Sequence, residues 1–217
     1  MGAAFVLSGL FGSLGLAATG EISSPAVRAL SALGLWAGLV GAALLATRFK
    51  GQRSLALDFG FRLRWVDLPV GVAVGLVCQL LLLPAVAFVL RPVLGKPEVS
   101  GPARDLIGDI DGAGRMLLVL MVVVATPLVE ELFYRGLVQR SLQRRFGSIL
   151  GVAVGAVVFG LAHQSNLPLR GLALIWISLS LLGAVLGILA TRTGRLGASI
   201  VAHGTFNAFT VVYVLAS

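Results

Sequence analysis

The sequence is dominated by long apolar runs, at about 3–19, 29–47, 69–90, 116–134, 148–166, 171–191 and 197–215. A helix of about 20 mostly apolar residues crosses the roughly 30 Å hydrocarbon core of a bilayer. Each run is close to that length, and the connections between most of them are short. Only helices and closed barrels satisfy every backbone polar group in lipid. Continuous runs, rather than short alternating ones, select the helix. The reading is therefore an all-α, polytopic integral membrane bundle of about seven transmembrane helices, within a range of six to eight. It forms one domain over residues 1–217. Composition agrees: 58% of residues are hydrophobic and 12% charged, and mean hydropathy is +0.99, against about 45–50% apolar and about 25% charged in soluble domains.

The net charge of +8 would suit a nucleic-acid binder only if it formed a stripe on a wetted face. Here Lys and Arg fall between the apolar runs, so a nucleic-acid partner is not expected and membrane lipid is. With segment 48–68 in the cytoplasm, the inside connections carry Arg48, Lys50, Arg53, Arg62, Arg64, Arg135, Arg140, Arg144, Arg145, Arg192 and Arg195. The outside connections carry Arg28, Arg91, Lys96, Arg104, Arg115 and Arg170. This bias favours a cytoplasmic N-terminus with seven spans, or an external one if the first run does not cross. The expected location is a multi-pass membrane protein, in the inner membrane if the source is bacterial. Small residues at four-residue spacing (Gly34/Gly38, Gly71/Gly75, Gly147/Gly151/Gly155, Gly183/Gly187) are expected at close helix contacts. Asp109-Ile110-Asp111-Gly112 lacks the remaining ligands of a calcium loop and reads as solvated. Cys78, the only cysteine, reads as a small buried hydrophobe.

Against this background a few polar residues stand out. From Gly112 to the C-terminus the only carboxylates are Glu130 and Glu131, and the chain's two histidines, His163 and His203, lie in the same stretch. An acidic residue at a helix centre costs about 2.5–3.5 kcal/mol on insertion scales, so such residues point to function. Glu131 and Arg135 are four apart with the acid first, the favourable order for an ion pair. That leaves Glu130, about 100° round the helix, aimed elsewhere. Phe159 and His163 share one helix face, as do His203 and Asn207. Glu130 and His163 are equally far from the turn at Phe146-Gly147, so a helical hairpin brings them to one depth. His203, only six residues past Gly197, reaches that depth if the last span starts deeper or if the hairpin extends beyond the membrane. Carboxylate, imidazoles and amide are the parts of a hydrolytic centre. The same residues also suit an inert packing cluster or a proton relay.

In order, Glu130-Glu131-Leu-Phe-Tyr-Arg135, Phe159-Gly-Leu-Ala-His163 and His203-Gly-Thr-Phe-Asn207 resemble the CPBP intramembrane proteases, related to type II CAAX prenyl endopeptidases and to bacteriocin-processing or self-immunity (Abi) proteins. The resemblance covers about 115–215, the motif-bearing core. It implies an intramembrane endopeptidase that cuts a membrane-associated polypeptide, of CAAX type or lipidated, with the site nearer the cytoplasmic side. Glu130 is implied as the activator of water, His163 as its partner, and His203 with Asn207 as oxyanion support; Glu131, Arg135 and Phe159 are supporting. If a metal is used, Zn2+ on Glu130, His163 and His203 is the implied set, and a metal-free glutamate mechanism stands beside it. The alternative is a catalytically inactive scaffold or immunity factor of the same fold.

Overall fold

The computed structural model describes residues 25–101, 103–104 and 112–216, with isolated positions between 4 and 17. Among them no strand occurs, and the helices are α1 (Pro25–Lys50), the short α2 (Leu55–Phe59), α3 (Asp67–Leu94), α4 (Gly112–Phe146), α5 (Ser148–Ala162), α6 (Leu169–Thr193) and α7 (Gly197–Ala216). Five of these, α1, α3, α4, α6 and α7, are long and apolar enough to span a bilayer, and α5 is a shorter apolar helix. Six expected spans thus have their helices. The first, 3–19, lies largely outside the described residues, as does the Asp109–Asp111 loop.

The bundle is apolar on its outer face as well as in much of its core, and its buried polar residues are concentrated inside. Asp67, Glu131, Arg135, Gln139, Ser199 and His203 are buried, whereas Leu81, Phe88, Val89, Ile149 and Val212 face outward. In lipid the outward faces need no cover, and polar groups must find partners within the bundle. This is an integral, multi-pass membrane protein.

Polar partners set the helix register. Arg135, Gln139 and Gln143 recur every four residues along α4. Arg135 Nη2 donates to the Gly183 carbonyl (3.4 Å), Gln139 Nε2 to the Gly187 carbonyl (3.0 Å) and Gln143 Nε2 to Thr191 Oγ1 (2.8 Å) on α6. The matching four-residue steps make α4 and α6 parallel, with α5 packed antiparallel to both. Glycines admit these contacts. A Cβ on Gly187 would run into Gln139 Oε1, and one on Gly183 would meet Phe159 and Ala156 at 3.1–3.3 Å. Gly71 and Gly75 of α3 lie as closely against Ala198, Val201, Ala202 and Thr205 of α7. Of the glycines expected to pack, Gly34, Gly38, Gly71, Gly75, Gly151, Gly183 and Gly187 do so; Gly147 instead takes the positive-φ turn between α4 and α5 with nothing near it, and Gly155 makes only ordinary contacts.

One boundary differs markedly from expectation. Helix α4 runs to Phe146, well beyond the expected 134, because its polar second half is satisfied by α6 and needs no lipid. At 35 residues it is about 52 Å long, far more than the hydrocarbon core requires. It also widens into π-helical turns at Met121–Ala125 and Glu131–Gln139, and α3 does so at Cys78–Leu82. Nothing in hydrophobic periodicity signals these. The depth question raised by His203 is answered by the same extension. Arg140 Nη2 donates to the Gly194 carbonyl (2.9 Å), nine residues beyond Glu131 on α4 and nine before His203 on the other chain segment. The α4–α5 hairpin therefore projects past the start of α7.

That basic end is locked by buried Asp67, which accepts from the Arg64 backbone N–H (2.8 Å) and from Arg195 Nη2 (2.7 Å). Beside it the Leu196 N–H donates to the Gly60 carbonyl (2.8 Å). At the α5–α6 contact, a Cβ on Gly160 would overlap Ser180 Oγ and lie 2.5 Å from the Trp176 carbonyl oxygen, whereas one on Gly155 meets only ordinary contacts of 3.4 Å or more. Gly160→Val is expected to destabilise the bundle by about 1–3 kcal/mol or more through overpacking, and Gly155→Ala to leave it nearly unchanged. Thermal unfolding of the two variants in detergent measures the contrast.

Candidate active site

All seven residues singled out in the sequence lie in one region: Glu130, Phe159, His163, His203 and Asn207 line a cavity between α3, α4, α5, α6 and α7, and Glu131 and Arg135 are buried behind them. The geometry starts with Glu131. This carboxylate is fully buried, and Oε1 lies 3.3 Å from Arg135 Nη1 and 3.1 Å from His203 Nδ1. A carboxylate only accepts, so Nδ1 of His203 carries the hydrogen. The imidazole is thereby oriented with Nε2 toward Glu130, 3.9 Å from Oε2.

His163 reaches the same point by another route. It is not within the helix, as the four-residue spacing from Phe159 suggests, but is the first residue after α5, with φ −84° and ψ 82°. The last carbonyls of a helix lack helical donors. His163 supplies one: Nδ1 lies 2.8 Å from the Phe159 carbonyl oxygen, which again places the hydrogen on Nδ1. Its Nε2 is 4.0 Å from Glu130 Oε2. The Trp176 indole N–H holds the His163 carbonyl (3.1 Å). The capped end of one helix and a buried carboxylate on another thus aim two imidazole lone pairs at one glutamate oxygen.

Phe159, wholly buried, is the surface on which this is built. The Arg135 guanidinium sits 4.1 Å above its ring centroid, and the His163 and His203 rings meet it edgewise at 4.7 and 5.7 Å. A cation over an aromatic face is attracted by the ring quadrupole, more strongly when desolvated. The ring therefore orders the Arg135 side as well as both histidines.

Asn207 has a separate task. The Thr126 N–H bonds back five residues to the Met121 carbonyl, in the π register. The next donor in that register is residue 127, a buried proline with no N–H. The Val122 carbonyl is left without it, and Asn207 Nδ2 of α7 donates instead (2.9 Å). The sequence marks Pro127 as a break before the acids; the compensating Asn207 bond is visible only in three dimensions. It ties α7 to α4 two turns from Glu130.

Glu130 differs from its neighbour. It is 13% exposed, and Oε2, itself buried, has no hydrogen-bond partner among the described residues. It opens on a cavity of about 560 Å3, within the usual size range of small-molecule sites. The walls are mostly apolar, with Leu83, Ala87, Leu179, Leu182 and Phe206 among them, and Thr126, Ser165, Ser178 and Asn207 as polar points. Ser165 and Ser178 carry no motif and were not legible as cavity residues.

The donor set has the chemistry of a zinc site but not its spacing. Tetrahedral ligands with bonds of about 2.0–2.1 Å stand about 3.3 Å apart. Glu130 Oε2 stands 4.0 and 3.9 Å from the two imidazole nitrogens, and no group of three potential ligands is close enough for a metal among the described residues. Hydrogen bonds of about 2.8 Å from a single water span these gaps at roughly right angles. Three lone-pair bearers thus converge with no hydrogen among them.

Residues 112–209 match the family model described as type II CAAX prenyl endopeptidase Rce1-like. No curated protein and no solved structure matches the chain.

Removing Arg135 strands a buried carboxylate, a loss of about 3–5 kcal/mol by the usual cost of breaking such a pair. Arg135→Met is therefore expected to unfold far more readily than the Glu131→Gln/Arg135→Met double variant, in which the stranded charge is gone. A double-mutant cycle on unfolding midpoints tests this coupling.

Proposed function

Because residues 112–209 match the model of the Rce1-like type II CAAX prenyl endopeptidases, we propose that the chain is an intramembrane endopeptidase of that kind, in which Glu130 activates a water for attack on a peptide carbonyl. The observation that carries this reading is the unpaired, buried Oε2 of Glu130 facing two imidazoles whose tautomers are fixed from behind. A water held there donates one hydrogen to Glu130 and one to an imidazole Nε2, and its lone pair is left for the carbonyl carbon. As the carbon–oxygen bond forms, Glu130 takes the proton. The oxyanion is met by the second amide hydrogen of Asn207, the first being used by Val122. Collapse breaks the C–N bond, and Glu130 returns the proton to the leaving amine, the usual double duty of a general acid–base group.

The substrate is a membrane-associated polypeptide whose apolar part, lipidated or not, fills the apolar cavity. His203 lies six residues, about 9 Å of helix, inside the start of α7. Together with the Lys and Arg excess at that end, this supports a site nearer the cytoplasmic side. A catalytically inactive scaffold of the same fold is the competing reading. The two separate on one substitution. Glu130→Gln keeps shape and removes the base, so cleavage is expected to fall by about 10²–10⁴-fold with folding unchanged. Comparing the membrane proteomes of cells carrying wild type and Glu130→Gln reveals the accumulated substrate. Indistinguishable proteomes, with purified Glu130→Gln as active as wild type on a cleaved peptide, would overturn the protease reading.

A further inference from the structure

A second cavity, of about 370 Å3, lies at the basic end of the bundle, and its lining includes Arg135, Arg140, Gln143, Arg144, Thr191 and Gly194. No carboxylate lines it. The charge of Arg135 is met by Glu131, though Nη1 is buried without a hydrogen-bond acceptor. Neither of the other two arginines forms a direct ion pair among the described residues, although Arg144, after the Gln52 backbone N–H, helps hold the Asp58 carboxyl below the usual carboxylate range. Arg140 donates only to backbone carbonyls, of Gly194 at 2.9 Å and Asp58 at 3.5 Å. Arg144, exposed and four residues further along α4, forms no ion pair among the described residues. The carboxylate of Asp58 lies outside the cavity lining, feels the charge of Arg144, and is itself held by the backbone N–H groups of Gln52 (3.0 Å) and Ser54 (3.4 Å). Like charges four apart on a helix repel, so the cavity gathers more cationic charge than the carboxylates around it offset.

We propose that this cavity binds a phosphate group, with Arg140 and Arg144 as its charged ligands. Planar guanidinium forks suit phosphate oxygens, which accept several charge-assisted hydrogen bonds at once. The level in the membrane also fits. Arg140 bonds to Gly194, beside the start of α7, and Trp65, 88% exposed, stands just before α3 at the same end. Exposed tryptophans of this kind mark the headgroup layer. Basic pockets between transmembrane helices take anionic lipid headgroups, and a free phosphate ion would offer the same chemistry. The proposal stands independently of any proteolytic activity.

The experiment is thermal unfolding of the full-length protein in neutral detergent, titrated with short-chain phosphatidic acid, inorganic phosphate or, as a control, short-chain phosphatidylcholine. Saturable stabilisation by phosphatidic acid alone identifies a lipid headgroup, and equal stabilisation by inorganic phosphate identifies the free ion; either supports the site. Arg140→Gln/Arg144→Gln is expected to weaken the apparent affinity about tenfold or more, in line with the loss of charge-assisted hydrogen bonds. Arg144→Gln, which removes no internal bond, is expected to weaken it several-fold with an unchanged unfolding midpoint in the absence of phosphate. Arg145→Gln, outside the cavity, is expected to bind as wild type. No stabilisation by either phosphate compound, or equal stabilisation of Arg144→Gln and wild type, would overturn the proposal.

Discussion

One carboxylate with no exposure to solvent or lipid organises the centre of this protein. Glu131 joins α4 to α7 through His203 and holds Arg135 within its own helix. A buried charge is costly unless it is paired and hydrogen-bonded, and that cost makes the arrangement unique. Arg135 cannot leave Glu131, and is further held by the Phe159 ring and the Gly183 carbonyl. Because Phe159 also packs both imidazoles, four helices are committed to a single geometry around Glu130. The reactive-looking glutamate is the one residue in the cluster that this scheme leaves without a partner.

The two adjacent glutamates therefore divide into opposite roles by the direction each faces. Glu131 points into the bundle, with Oε1 held between Arg135 and His203; Glu130 points into a cavity, and its Oε2 has no hydrogen-bond partner among the described residues. Electrostatics of the first create the shape in which the second can act. Packing alone would not have kept two carboxylates in the membrane, since an apolar replacement of similar volume is usually at least as stable.

Much of this was legible in the sequence. Apolar runs placed α1, α3, α4, α5, α6 and α7, and rare polar residues in apolar sequence are the ones that the fold gathers at the candidate site. The pairing of Glu131 with Arg135 followed from spacing, and the meeting of Glu130 with His163 from equal distances to a turn. The rest depended on information that periodicity does not carry. The end of α5 at Ala162 is set by a side chain capping a carbonyl, a local bond that apolar sequence conceals. The reach of α4 to Phe146 depends on partners 48 residues away in α6. Asn207 was read as a chemical group, but its observed bond repairs a gap left by Pro127, which no pairwise spacing links to it. The basic cavity was invisible because its arginines had already been assigned to topology.

The widened turns of α4 have a consequence of another kind. A π turn accommodates one more residue than the α-helix around it, so its natural counterpart is an insertion. Two such turns flank Thr126–Glu130. Losing one residue from Met121–Ala125 would restore a regular helix and leave the turns on either side in register, because the wide turn already absorbs that residue. What would be lost is the free Val122 carbonyl on which Asn207 of α7 is anchored. In a lineage, then, a wide turn lets α4 gain or lose a residue without re-aiming Glu130, and the link to α7 is what such a change puts at stake.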